Sequence, residues 1–311
     1  YDNKRVYEVG QKFKELKPYS KWQINSIVKV NDSITLIGTE SNDGVLVWNR
    51  KAGTITNYSE NQSARFKLDS KIVNSIYLAR NGQAIIMSDY LFSVFDASKN
   101  QFKPVDIIDK KNPKPRGVYM QMAESGNNYW VAAYGYGLIK LDKKFNVVKK
   151  FGFESGFSNT GLYSIFNFKD SLLIITSNYG IINFSISSEK AVSYFEEDGL
   201  HNNTFEEASS YVAKNIFYAG GVNGFTEITA SNLSSNTTAP YFFFTKTEAE
   251  SAEGLFIDSF NLHAKQYTFA NTVLQAKIYF TGINYSNPRR VSYKYRIIEN
   301  STEWINNGTE N

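Results

Sequence analysis

Trp130 to Asp142, WVAAYGYGLIKLD, reads as two short strands joined by a tight turn. Trp130 to Ala133 form the first strand. Tyr134, Gly135 and Tyr136 turn the chain, and Gly137 to Asp142 run back. The chain writes this phrase five times. The other copies are TLIGTESNDGVLVWN (35–49), AIIMSDYLFSVFD (84–96), LIITSNYGIINFS (173–185) and IFYAGGVNGFTEI (216–228). Aligning Thr39, Ser88, Ala133, Ser177 and Gly220 gives spacings of 49, 45, 44 and 43 residues. A period in the mid-forties with several strands per copy is the signature of a β-propeller, one four-stranded sheet per blade.

Within the fourth copy the strands fall at Leu162–Asn167, Leu172–Ser177, Gly180–Phe184 and Ala191–Phe195, named a to d from the ring centre outward. Strands b are almost continuously apolar, as sheets covered on both faces require. Gly44, Gly137, Gly180 and Gly224 open strands c, where a positive φ or a close backbone approach is expected. The second copy has Leu91 there, so its turn should differ. No stretch of helical periodicity exceeds two turns.

Composition agrees. The chain has 311 residues, 42% hydrophobic and 15% aromatic, with 21 Tyr and 23 Phe, which favour strands. Its 34 basic and 30 acidic residues are interspersed, and a net charge of +4 is too balanced for a nucleic-acid footprint. It has no cysteine, so neither a disulfide framework nor a thiolate metal site is available. No run of 18 apolar residues occurs, so any membrane attachment is expected through segments outside this chain. The chain begins at Tyr1 without a signal-peptide pattern, which reads as part of something longer.

The expected domains follow. Residues 1–20 read as the end of a preceding blade. Blades lie near 22–70, 71–116, 117–160, 161–205 and 206–230. The fifth copy shows only strands a, b and c, so a strand near Val6–Val9 is expected to pair as its fourth and close a five-bladed ring. Residues 231–240 (SNLSSNTTAP) are a linker. After it come Tyr241–Thr247, Asn271–Tyr285 and Val291–Glu299, with a turn at Asn287-Pro288. They read as the first part of an antiparallel Ig-like β-sandwich, 241–311, too short to be complete. The fold class is therefore all-β, about five blades followed by a truncated sandwich.

Two passages carry a family resemblance. The repeat resembles the two-component regulator propeller repeat, and EEDGLHNNTFEEAS…FYAGGVNGFTEI (196–228) resembles the last blade of such propellers. INYSNPRRVSYKYRIIENSTEWINNG (283–308) resembles the three-Tyr (Y_Y_Y) domain that follows them, with Tyr285, Tyr293, Tyr295 and Trp304 at its aromatic positions. The resemblance implies the extracytoplasmic, periplasmic part of a bacterial membrane-bound regulator. In such proteins a kinase, cyclase or DNA-binding output lies across the membrane, and the intact receptor is a homodimer. Family propellers commonly have seven blades, so five here imply truncation. The resemblance also suggests a saccharide or other small polar ligand.

Catalytic patterns are sparse. His201 and His263 are far apart and have no metal-site spacing, so no metal or cofactor is expected. There is no GxSxG, P-loop or helix-opening GxGxxG. The carboxylates Asp43, Asp89, Glu196, Glu197, Asp198, Glu206 and Glu207 lie in polar loops without an apolar setting that would raise a general acid's pKa. No catalytic residue is assigned. A polysaccharide lyase or hydrolase and a protein-interaction scaffold remain the alternatives to a sensor.

Topology places the candidate binding face. Strands a and c run one way, b and d the other, so b–c and d–a loops share one face. The b–c loops hold Asn42, Asp43, Asp89, Tyr90, Tyr134, Tyr136, Asn178, Tyr179 and Asn223. The d–a loops hold Trp22, Arg116, Asn159, His201 and Asn203. Aromatic faces stack on sugar C–H surfaces while amides and carboxylates meet hydroxyls. The competing assignment makes Tyr90, Tyr134 and Tyr179 inter-blade packing and the asparagines turn formers. The aromatics of 279–304 alternate on strands, so half of them are expected in the sandwich core.

Overall fold

The computed structural model describes residues 7–40, 44–59, 68, 72–89, 91–109, 117–229, 240–259, 266, 268–284, 291, 293–296 and 303–308. The chain divides into two compact units, Tyr1–Leu233 and Ser234–Asn311.

The first unit opens with a helical turn, α1 (Val9–Lys12), and a 3-10 segment, Lys14–Tyr19. Four blades of four antiparallel strands follow. Blade one is β1 (Ile24–Lys29), β2 (Ile34–Thr39), β3 (Val45–Asn49) and β4 (Thr54–Tyr58). Blade two is β5 (Ser75–Leu78), β6 (Ala84–Met87), β7 (Phe92–Asp96) and β8 (Gln101–Val105). Blade three is β9 (Val118–Ser125), β10 (Asn128–Tyr134), β11 (Gly137–Asp142) and β12 (Val147–Phe151). Blade four is β13 (Leu162–Phe168), β14 (Leu172–Ser177), β15 (Ile181–Ser185) and β16 (Lys190–Tyr194). Blade five shows three strands among the described residues: β17 (Phe205–Ala213), β18 (Ile216–Gly221) and β19 (Gly224–Ile228). This is a β-propeller architecture. The inner strands lie side by side, β1 against β5, β5 against β9, β9 against β13 and β13 against β17.

The apolar runs of the b strands now have a cause. In β10, Tyr129, Val131 and Ala133 enter a core shared with blade two, alongside Ile85, Phe92 and Tyr119. Trp130 and Ala132 point the other way, into a core shared with blade four, alongside Phe151, Ile175 and Phe184. A strand between two blades has no solvent face, so alternation disappears from its sequence. Trp130 is among the largest fully buried side chains, stacked on Phe151 at 5.7 Å.

Among the described residues of the segment expected to close the ring, Tyr7 to Val9, no strand forms. Val9 begins a helical turn, and Tyr7 and Glu8 belong to no strand; Val6 lies outside the described residues. Leu16 instead joins Ile37, Leu46 and Trp48 on one face of blade one, with Tyr19 and Trp22 packed beside them. Phe13 meets Trp48 edge-on at 4.8 Å, and the Trp48 indole donates to Glu15 at 3.0 Å.

On the face opposite the b–c turns, one residue ties three blades together. Glu124, 7% exposed at the end of β9, accepts the Arg80 backbone N–H at 2.9 Å and pairs with Lys143. Its backbone carbonyl accepts Asn167 Nδ2 from blade four at 2.6 Å. Arg80 continues to Asp170 at 2.8 Å.

The second unit holds a three-stranded antiparallel sheet in the order β21 (Gly254–Ser259), β20 (Tyr241–Ser251), β22 (Val273–Ile283). A hairpin, β23 (Tyr293–Tyr295) with β24 (Ile305–Gly308), completes it. Tyr293 is buried and its hydroxyl accepts the Gly282 N–H at 2.8 Å, whereas Tyr295 and Trp304 are exposed. Tyr285 and the Asn287-Pro288 turn lie outside the described residues, as does His263. Among the described residues no helix is long and apolar enough to cross a membrane.

Glu124→Gln tests the three-blade tie. Burial alone would raise this carboxyl's pKa, but the Arg80 N–H and Lys143 outweigh it and hold the pKa below the usual range. A lowered acid pKa contributes stability above the unfolded pKa, and that stability is lost as pH falls. The variant should lose about 1 kcal/mol near neutrality, because Lys143 is partly exposed and Gln keeps an acceptor for the Arg80 N–H. Its melting temperature should converge on that of the parent only as pH falls from about 4 through the lowered pKa of Glu124. Thermal melts from pH 3 to 8 read both effects, and a gap independent of pH would refute the ionic account.

Candidate functional site

The face predicted from topology exists. The b–c turns of blades three and four are hydrogen-bonded to the d–a loops that flank blade four. Gly135 N–H donates to Thr160 O at 3.0 Å, Asn178 N–H to Gly161 O at 3.1 Å and Gly180 N–H to Asn203 O at 2.6 Å. The small residue closing strand b has a role here. Thr39 Oγ1 donates to Gly44 O and Ser177 Oγ to Gly180 O, both at 2.9 Å, locking the turn. In blade two the turn runs Ser88 to Leu91, closed by Ser88 N–H to Leu91 O at 3.0 Å.

The inner strands meet around a polar cavity of about 190 Å³ lined from all five blades. Their edges are stitched by side chains. Ser26 Oγ accepts Ile76 N–H at 3.0 Å, and Asn25 Nδ2 donates to Val73 O at 3.2 Å. Asn74 Nδ2 donates to Tyr119 O at 3.0 Å, and Ser75 Oγ to Met120 O at 2.5 Å. Gln121 Oε1 accepts Ile165 N–H at 2.7 Å. Sequence reasoning missed this belt, although a signal was present: Asn25-Ser26-Ile27 recurs as Asn74-Ser75-Ile76, and Ser164-Ile165 repeats its last two residues.

At the cavity lies an aromatic pair. Tyr163, which lines it, stacks on Tyr134 at 5.6 Å and 24°, and Tyr134 remains 43% exposed. Beside them β17 departs from its ladder: Phe205 pairs with Gly221 and Ser210 with Ala219, so residues 206–209 stand opposite Gly220 alone. Ala208 takes a left-handed φ of 51° within this bulge. The bulge presents Glu206 and Glu207. Partial burial, then the charges of Glu40, Glu206 and Asp89, raise the Glu207 pKa. Burial, then Tyr134, Glu206 and Glu207, likewise raise that of Tyr163. The expectation that no carboxylate here would be raised is therefore corrected. The loop-like sequence hid the convergence of four acids from blades one, two and five.

The other predicted residues divide. Asp89 accepts Asn74 Nδ2 at 3.1 Å and bridges to Val118 at the start of β9. Tyr179 is 49% exposed and leans on Phe195 at 5.1 Å. Tyr136 turns inward against the core between blades two and three, under the Lys150 ammonium at 4.9 Å. Asn159 Oδ1 accepts Gly161 N–H at 2.5 Å, and Asn203 Oδ1 accepts Glu196 N–H at 2.7 Å, both in turns. Asn178 Oδ1 is buried with no hydrogen-bond partner. His201 Nδ1 lies 2.7 Å from Thr226 Oγ1, and its ring meets Phe205 edge-on. Asn223 is exposed in the β18–β19 turn. Trp22 packs against Tyr19 on blade one. Tyr90, Arg116, Asn42 and Asp43 lie outside the described residues. Among the described residues no group of three or more His, Asp or Glu side chains is placed to hold a metal ion.

The belt makes a direct prediction. Gln121→Ala leaves the Ile165 N–H without its partner and should cost about 1–3 kcal/mol. Gln121→Glu keeps the acceptor oxygen and should lose less. Chemical denaturation measures both, and equal losses would show that the acceptor oxygen contributes nothing.

No family model matches the chain, and neither does any curated protein. Solved structures do match. The extracellular domain assigned to a one component system of B. thetaiotaomicron aligns with a TM-score of 0.58 at 15% identity, covering 79% of this chain and 36% of that one. The extracellular domain assigned to a hybrid two component system of the same organism gives 0.57 at 14% identity, over 88% and 37%. The WD40 β-propeller domain of Doa1 gives 0.50 at 11% identity, over 83% and 82%. This chain spans little more than a third of the first two. At these identities the likeness is one of fold, and the fold is the β-propeller.

Proposed function

We propose that this chain is the extracytoplasmic, periplasmic ligand-sensing module of a bacterial membrane-bound signal-transduction regulator. Its propeller face binds a saccharide or other small polar ligand, and the Ser234–Asn311 unit passes the signal on within a homodimeric receptor. The observation that carries this reading is the polar cavity at the meeting of five inner strands, with Tyr163 on its wall stacked on the exposed Tyr134. An exposed ring offers a stacking surface, and the surrounding amides and carboxylates suit hydroxyl groups. The fold shared with extracellular domains of one- and two-component systems supports the sensory role. The route from ligand to output rests on that analogy.

One observation favours a second reading. Glu207, raised in pKa beside Glu206, has the electrostatic setting of a general acid, which suits a propeller hydrolase acting on polysaccharide.

A thermal-shift screen against oligosaccharides and small metabolites separates these. A ligand at a hundred times its Kd should raise the melting temperature by about 5 °C. Tyr134→Ala should abolish that shift while changing the unliganded melting temperature little, because the ring is exposed. A shift from amino acids or peptides but from no sugar would rule out the saccharide. Release of reducing ends from polysaccharide, lost in Glu207→Gln, would establish the hydrolase instead.

A further inference from the structure

The belt that stitches the inner strands together has a break. Ser26, Ser75 and Gln121 stand opposite Gly38, Met87 and Ala132 in their own blades. Each reaches the next inner strand: Ser26 Oγ accepts Ile76 N–H, Ser75 Oγ donates to Met120 O and Gln121 Oε1 accepts Ile165 N–H. Ser164 holds the corresponding place in blade four, where its N–H donates to Thr176 Oγ1 at 3.0 Å. It is 2% exposed and lines the polar cavity, yet its hydroxyl has no hydrogen-bond partner among the described residues. The strand that should supply one, β17, bulges out of its ladder over residues 206–209. A buried hydroxyl left unpaired is costly, and the remaining source of a partner is the cavity itself.

The same bulge sets the charge of the site. It presents Glu206 and Glu207 beside Tyr163, whose ring stacks on Tyr134. Asp89 is tied to the cavity wall through Asn74 Nδ2 at 3.1 Å. The charges acting on Glu207 among the described residues are those of Glu40, Glu206 and Asp89, and no lysine or arginine offsets them. Uncompensated carboxylates attract a cation, and the stacked rings beside them offer it a π face. A metal ion does not fit, because among the described residues no three acids are placed to hold one. An organic cation does fit, since it meets carboxylate, ring and hydroxyl at separate positions.

We propose that the ligand of this cavity is an amino sugar with a free ammonium group. The ammonium faces Glu206 and Glu207, the sugar ring lies against Tyr134, and a sugar hydroxyl bonds to Ser164 Oγ. A neutral sugar would leave the carboxylates without a counter-charge, and an acidic sugar would be repelled. This names the ligand class of the sensor site and rests on the saccharide reading above.

The probe is the glucosamine disaccharide, titrated calorimetrically into the full chain at about pH 6, where its amines are protonated. It should bind at least about tenfold more tightly than its N-acetylated counterpart, and a galacturonic-acid disaccharide should give no binding. Replacing Glu206 and Glu207 together by Gln should erase that preference. This variant should melt no lower than the parent, because it relieves like-charge repulsion. Ser164→Ala should weaken binding roughly fivefold and leave the preference intact. Equal or tighter binding of the N-acetylated or acidic disaccharide would overturn the proposal and leave the saccharide reading standing. So would a preference that survives loss of both glutamates. Binding of putrescine, lost in the double variant, with no response to any sugar would uphold the cationic site and overturn the saccharide. No response to any of these probes would overturn both.

Discussion

The inner strands set the constraint on which the propeller depends. Each hydrogen-bonds along one edge to the second strand of its own blade and turns its other edge toward the crowded centre. Backbone donors and acceptors there must be satisfied without a ladder partner. Side chains of the preceding blade do this. Ser26, Asn25, Asn74, Ser75 and Gln121 each reach the backbone of the next inner strand. The result is a ring of short polar residues where a β-protein would otherwise place Val or Ile. The polar lining of the cavity is a by-product of solving the hydrogen-bond problem.

This explains what was legible in the sequence and what was not. The five-fold phrase around WVAAYGYGLIKLD gave away blades and strand order because strands b and c are sandwiched between two cores and must stay apolar. Leu162–Asn167 and Leu172–Ser177 matched β13 and β14 within a residue. The inner strands were placed but their role was not, since polar residues in a strand carry no hydrophobic period. The N-terminal segment misled for a related reason. Val6, Tyr7 and Val9 look strand-like, but Leu16, Tyr19 and Trp22 ten residues later decide the matter by packing onto Ile37, Leu46 and Trp48. Tertiary burial overrode local propensity.

Among the tyrosines, two positions in sequence separate two fates. Tyr134 ends β10 and lies over Tyr163 in solvent, while Tyr136, beyond the Gly135 turn, folds back under Lys150. Gly135 and Gly137 both take positive φ, 77° and 76°, so the turn reverses within three residues and sends its two rings to opposite sides. Sequence reading treated both as equal candidates because it saw residue type and not the turn's hand.

Blade five gains its distinct properties by breaking the repeat. Its inner strand bulges over residues 206–209, which lifts Glu206 and Glu207 out of the ladder and toward acids from blades one and two. Such a cluster costs electrostatic energy, visible in the raised Glu207 pKa, and a left-handed Ala208 adds about 1 kcal/mol of backbone strain. Left-handed non-glycine residues occur in the turns of blades two to four, at Asn100, Phe145, Lys169, Asp170 and Glu189, but within an inner strand among the described residues only at Ala208. Blade five is thus where the repeat is most altered, at the acidic bulge of its inner strand.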